Sequence, residues 1–383
     1  MNKLREYYWA YRNKITNKLF GQAYLPARGK NRGIVLISYI MDPFTILPGK
    51  GFSSFHTNYW ECYEMAKLFS ERGYAVDIVS PKNTGFIPKK NYSVCLDTAD
   101  NFQRWIKYLP KDCQKIYPIL MTNWKEYNEA ENVRLENLRK RRGFSLTPRR
   151  RLEPTKNPEL ADYLVGFGNK TIFASYKQFN KPIIWIPISA VTKYDFPEDK
   201  NWNEAKKNFL WIGGGGAVLK GLDLVLEAFV DLPQLELHVC GPIHAEKDFI
   251  AEYDKELNHT SNIHVYGRLD VTGQKFRQII KTCGAVIYPS GGDGTSGAIV
   301  QAMHGGLVPI VSHETGLRED SGYIPITDPR PESVALAVNE FSKKSAEDIR
   351  NLSKKVWLYA RKVYTRDEFS KAYAKFIDEI LKI

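Results

Sequence analysis

The chain has 383 residues, 43% hydrophobic and 26% charged. That excludes a disordered chain and, at roughly 100–200 residues per domain, points to two domains with separate cores. The net charge of +12 is concentrated: residues 1–30 carry seven Lys/Arg against one acid, and residues 139–151 carry seven against none, so the basicity forms two local patches suited to phosphates, and nucleic acid is disfavoured because no RRM, KH or helix-turn-helix signature appears.

In chain order, residues 3–19 place Leu4, Tyr8, Tyr11, Ile15 and Leu19 on one helical face, with Lys3, Arg5, Arg12, Lys14 and Lys18 around it. Such a helix suits an anionic bilayer or packing on its own protein with a solvated basic side. Gly33–Ser38 reads as a buried strand, followed by the glycine loop Pro48–Ser54. Thr57 is a candidate N-cap for a helix to about Arg72, stopped by Gly73, and Tyr74–Ser80 is the next strand. Further strands are predicted near Ser93–Leu96, Ile116–Met121, Tyr163–Phe167 and Ile183–Pro187, with a long polar helix over Trp124–Arg142. The bracket Arg139–Arg142 and Arg149–Arg151 is open to two readings, a contact to a phosphate-bearing acceptor or lipid headgroups, and a solvated loop. An irregular stretch, 188–207, sets the boundary between a first domain over 1–190, with 1–30 as its basic segment, and a second over 191–364. There the pattern restarts with strand Asn208–Ile212, a glycine loop, helix Leu219–Val230 and strand Leu235–Cys240. Strands near Ile263–Tyr266, Ala285–Tyr288 and Val308–Ser312 follow. Thr365-Arg-Asp-Glu368 has capping-box spacing ahead of Phe369, Tyr373, Phe376, Ile377 and Ile380, so 365–383 is an amphipathic helix that must dock on something. The alternation predicts the α/β class: two Rossmann-like α/β/α domains facing a central cleft, with the chemistry in loops at the carboxyl ends of the strands.

No apolar run reaches the ~18–20 residues of a membrane span. The N-terminus lacks the apolar stretch of a secretory signal, and the five scattered cysteines form no C-x-x-C. A cytoplasmic protein without a disulfide framework or zinc ribbon is expected, peripheral on the inner face of a membrane if the basic segment docks there.

Three loops carry chemistry. In the first, strand 209–212 enters Gly213, Gly214, Gly215 and Gly216, and Lys220-Gly221 opens a helix. Bare main chain lets a diphosphate approach, and Lys220 supplies a point charge beside it; the bland alternative is a flexible turn with a solvated lysine. In the second, a strand ends at Pro289, the loop carries Asp293, and a helix begins near Thr295 or Ser296. The amides of Gly294, Thr295 and Ser296 would face an anion, helped by the helix dipole. Gln301, nearly two turns inside, would touch another part of an extended ligand. The competing readings are an Asx-turn for Asp293 and a surface amide for Gln301. In the third, Gly49 and Gly51 can present amides and His56 can touch a ligand, while Phe52, Phe55, Tyr59 and Trp60 are sugar-stacking or, more simply, core residues. The sequence holds no D-x-D and no zinc-spaced His/Cys cluster, so metal independence is expected and no cofactor is implied.

Taken together, Phe209–Phe229, Leu237–Gly241, Val265–Gly267 and Tyr288–Val311 resemble the GT-B-fold, nucleotide-sugar-dependent glycosyltransferases of family 4. The likeness is good over about 208–330 and looser over 33–190. It implies transfer of a sugar from a nucleotide-sugar co-substrate to a glycan or lipid-linked acceptor, with retention, as in surface polysaccharide or glycoconjugate synthesis. It also implies that Lys220 neutralises the leaving diphosphate, that Asp293 takes the sugar hydroxyls, and that Gln301 takes the ribose. The resemblance places Gly267 and Arg268 near the base, His56 near donor or acceptor, and the terminal helix back on the first domain. Two departures stand out. Gly214 sits where family members usually carry Arg, and Asp293/Gln301 replaces a pair of glutamates. Arg268 is a candidate to supply the missing charge. The departures keep open a catalytically weak nucleotide- or glycan-binding homologue, and the fold keeps open a nucleotide-sugar epimerase.

Overall fold

The computed structural model describes residues 3–383. Met1 and Asn2 of the basic segment, and the Lys3 side chain, lie outside the described residues. The first sheet comprises β1 (Gln22–Leu25), β2 (Gly33–Ser38), β3 (Tyr74–Val79), β4 (Tyr92–Asp97), β5 (Gln114–Ile119), β6 (Tyr163–Gly166) and β7 (Ile183–Trp185). Its order is β1-β3-β2-β4-β5-β6-β7, parallel except for β1, which runs antiparallel to β3. The second comprises β8 (Asn208–Ile212), β9 (Glu236–Cys240), β10 (Ile263–Gly267), β11 (Ala285–Tyr288), β12 (Val308–Val311) and β13 (Ile324–Pro325), all parallel in the order β10-β9-β8-β11-β12-β13. The architecture is the expected pair of Rossmann-like domains. Their central strands are near-continuous apolar runs because helices cover both faces. In the second sheet the order reverses between β8 and β11, where a doubly wound sheet opens its ligand crevice.

The Asn58–Glu71 helix starts without the predicted cap. Thr57 is itself helical in backbone and its hydroxyl turns to Glu61 instead. The last helix, Arg366–Leu381, is capped by Thr365, whose side chain accepts the Glu368 amide. It packs on the first domain: Phe369, Tyr373, Phe376 and Ile377 share one core with Val35, Cys62, Phe69 and Val76, and Asp378 accepts from the Arg72 guanidinium.

The Trp124–Arg142 helix belongs by sequence to the first domain but packs on the second. Leu138 lies in the second domain's core, with Phe144 and Leu146 of the following segment against it. Arg134, 6% exposed, donates to the Pro289 carbonyl at 2.6 Å. Arg141 bridges Asp223 at 2.7 Å and Glu227 at 3.0 Å, Arg142 pairs with Glu256 at 2.9 Å, and Arg149 pairs with Asp248. Burial lifts the Asp223 carboxyl to about 6, against the pull of Arg134 and Arg141. For Arg141, Arg142 and Arg149 the basic stretch is therefore tied to protein carboxylates. Arg141 is partly buried, while Arg142 and Arg149 stay exposed as the solvated reading expected, but all three are paired with carboxylates of the second domain, and that pairing is invisible at this distance along the chain.

Candidate functional site

A cleft of about 520 Å³ lies between the domains. The Ser54–Asn58 segment lines it from the first domain, and the loops after β8, β9, β10 and β11 line it from the second. Gly49 and Gly51, in contrast, are exposed and do not line it; the loop reaches the cleft only from Ser54 onward.

Of the four consecutive glycines, two leave main chain open. A side chain at Gly213 would strike the Trp211 ring, whereas one at Gly214 would meet nothing within 4 Å and one at Gly215 only Glu246. Gly216 adopts φ +89°, and its amide donates to Glu246 Oε1 at 2.6 Å, with the Ala217 amide on Glu246 Oε2 at 3.1 Å. An internal carboxylate therefore already satisfies this end of the turn, and the cradle narrows to Gly214 and Gly215. Over Gly216 lies the aliphatic stem of Arg150. Arg150 Nε donates to the Tyr127 hydroxyl at 3.3 Å, and the side chain lines the cleft.

Lys220 is 3% exposed. Its ammonium donates to the Gly292 carbonyl at 2.7 Å and to Asp293 Oδ2 at 3.0 Å. The Tyr288 hydroxyl donates to the same oxygen at 3.2 Å, and the Gly294 amide to Oδ1 at 3.2 Å. Thus the two residues singled out on separate loops form one ion pair at the base of the cleft. The helix behind Asp293 runs from Gly297 to His304. Ser296 N donates to the Thr315 carbonyl, and Gly294 is pressed against the Leu120 carbonyl, leaving no room for a side chain. Thr295 and Ser296 still line the cleft, but the amides of the first helical turn now belong to Gly297 and Ala298, both at the cleft wall.

Gln301 is held by main chain. Its Oε1 accepts from the Val191 and Thr192 amides, each at 3.1 Å, and Nε2 donates to the Thr192 carbonyl at 2.8 Å. It clasps the segment that joins the domains. His56 faces the cleft; its Nδ1 accepts the Asn58 amide at 3.1 Å, so the neutral ring carries its proton on Nε2. Enclosure by the cleft pushes His56 below the ordinary imidazole value, opposed by Asp293 and assisted by Arg268. Gly267, at φ +69°, ends β10 and accepts the Gly241 amide through its carbonyl, turning the chain to Arg268, whose guanidinium stacks 4.3 Å from the Phe55 ring centroid.

Below the cleft, Glu61 is 2% exposed and accepts from Ser189 N at 2.8 Å and Ser189 Oγ at 2.9 Å. Burial raises its carboxyl to about 7, with the Ser189 bonds opposing. The folded state therefore holds this proton more tightly than the unfolded chain. The stabilisation is full below the ordinary carboxylate value and is lost as pH rises through about 7. Glu61→Gln should remove roughly 3 kcal/mol of this pH dependence, and denaturant unfolding at pH 5 and pH 8 compares the two proteins. An unchanged slope would place the proton elsewhere.

Glu246 and Tyr127 escaped sequence reading, and Arg150 was read only as part of a basic stretch open to a phosphate-bearing acceptor. Arg150 sat inside a basic run, and only tertiary contact separates it from its neighbours.

Two Rossmann-like domains with glycine-loop and helix-start amides converging on one crevice define the class, the GT-B fold. Residues 193–357 match the family Glycosyl transferases group 1. No curated protein matches the sequence. Among solved structures, sucrose-phosphate synthase from Thermosynechococcus elongatus aligns at TM-score 0.64 and 12% identity over 92% of this chain and 100% of its own. Anabaena HepE, bound to UDP and glucose, aligns at 0.55 and 12% over 91% and 99%. A TarM variant from S. aureus, bound to fondaparinux, α-GlcNAc-glycerol and UDP, aligns at 0.53 and 11% over 76% and 55%; the chain thus spans about half the length of TarM. At these identities the likeness establishes the fold.

Proposed function

We propose that the chain is a glycosyltransferase that moves a sugar from a nucleoside-diphosphate donor to a glycan or lipid-linked acceptor, with retention and without a metal ion. The carrying observation is the convergence of Lys220, Arg150, the open main chain of Gly214 and Gly215, and the Gly297–Ala298 helix start on one cleft. Donors preorganised where charge develops are the largest single source of rate in such transfers. In this reading a bound diphosphate draws the Lys220 ammonium from Asp293, and the freed carboxylate accepts from the sugar hydroxyls. Arg268 and the β9 loop flank the base, and His56 Nε2–H donates to the sugar or acceptor. No carboxylate is assigned as nucleophile.

Thermal unfolding of the full chain with UDP-, GDP- and ADP-sugars, each with and without EDTA, tests this. One donor should raise the midpoint, with EDTA making no difference, because a ligand bound only to the folded state stabilises it by mass action. No shift with any donor would overturn the reading. The three backbone bonds of Gln301 favour, as a second reading, a homologue that binds without turning over, and donor consumption separates the two. Interconversion of the donor sugar without acceptor would instead identify an epimerase.

A further inference from the structure

The Lys3–Phe20 helix is mounted the opposite way from an ordinary surface helix. It is attached through Trp9, whose ring packs with its centroid 4.9 Å from that of the Tyr24 ring, and through small and polar residues. Ala10 and Asn13 are buried; Asn13 donates to the Tyr24 and Phe44 carbonyls at 3.0 and 3.3 Å and accepts the Tyr24 amide at 2.9 Å, and Thr16 Oγ1 donates to the Gln22 carbonyl at 2.8 Å. The apolar stripe faces outward: Tyr8 is 60% exposed, Tyr11 55%, Ile15 60% and Leu19 64%. Soluble helices turn such a stripe to the core. Arg5, Lys14 and Lys18 flank it, all exposed, and Glu6 is the only acid on the helix. Beyond the helix end, Phe20 borders a groove shared with Lys82, with Ile87 exposed on the same turn.

We propose that this face docks on an anionic lipid bilayer, the helix lying in the plane of the surface. Charge complementarity selects the occupant. The stripe needs an apolar phase, and its cationic border needs fixed negative charge, which headgroups and acyl chains supply together. A second copy of the chain would bring the same cations into opposition. The helix also carries the chain that leads to the cleft: Asn13 holds Phe44, and the Tyr7 hydroxyl donates to the Pro48 carbonyl at 3.3 Å, upstream of Ser54–Asn58. A docked protein would therefore hold its first-domain cleft loop beside the bilayer. The inference stands independently of the donor chemistry.

Co-sedimentation of the full chain with phosphatidylcholine vesicles, with and without phosphatidylglycerol, tests it. Three exposed cations at roughly fivefold each give a preference for anionic vesicles on the order of 100-fold at low salt, and high salt should erase most of it. The double variant Ile15→Glu/Leu19→Glu should lose binding while its unfolding midpoint stays unchanged, since both side chains already face solvent. Lys14→Glu/Lys18→Glu gives an independent check should the first variant fold poorly. Equal partition onto neutral vesicles, no binding to anionic ones, or undiminished binding by a folded variant would overturn the proposal. So would a dimer by light scattering that the variants abolish, which would make a second copy the occupant.

Discussion

Lys220→Ala should lower turnover by about 10²–10³-fold, the loss found when one preorganised donor is removed from developing oxyanion charge. It should also cost about 2–3 kcal/mol of stability, because the buried ammonium leaves Asp293 without its partner. A cost below the roughly 3–5 kcal/mol of fully buried broken pairs applies, since the Asp293 side chain is 24% exposed and solvent screens it. The two effects separate in the double variant Lys220→Ala/Asp293→Asn. Removing the orphaned charge should restore most of the stability and none of the turnover. Denaturant melts and single-turnover assays read them independently. A single variant within tenfold of wild-type turnover would mean that the diphosphate charge develops elsewhere.

Arg150→Ala should lower kcat/KM for the nucleotide sugar by roughly 10–100-fold, with most of the loss carried by the diphosphate. Arg150 lays its stem over the glycine loop from a segment of the first domain, while the loop itself carries Gly214 where the family resemblance leads one to expect Arg. A side chain at Gly214 would meet no atom within 4 Å, so Gly214→Arg in the Arg150→Ala background should recover binding of the free nucleoside diphosphate, measured by calorimetry. An unaffected Arg150→Ala would remove the residue from the site. A loss that Gly214→Arg cannot repair would show that Arg150 acts through its contacts to Gly216 and Tyr127.

The second domain was the more legible one. Asn208–Ile212 and Ala285–Tyr288 are strands with the predicted bounds, because short β-branched and aromatic runs stopped by glycine or proline leave little freedom. The loops after them were legible as positions, and Lys220, Asp293 and His56 do line one cleft. What escaped was what each polar atom already holds. The Gly216 amide is taken by Glu246, thirty residues on, and Gln301 by the chain between the domains. No local spacing encodes either bond. β1 was missed for a related reason: Gln22–Leu25 is a four-residue edge strand defined only by pairing with β3, and Gly49 and Gly51 looked like a ligand loop until the path of the chain put them in solvent. The long polar helix had the right bounds and the wrong neighbour, since Arg141 and Arg142 find their acids more than eighty residues later.

That neighbour has a mechanical consequence. Arg134, Arg141, Arg142 and Arg149 fasten the 124–150 strap to the second lobe, so Arg150 is moored beside Gly216 whatever the first sheet does. If the lobes swing apart, the strap, the 191–192 linker and the start of the last helix are the crossings that must flex, and the cation over the glycine turn travels with Lys220 and the Gly297 helix. The opposite jaw, bearing His56 and Phe55, is the one that withdraws.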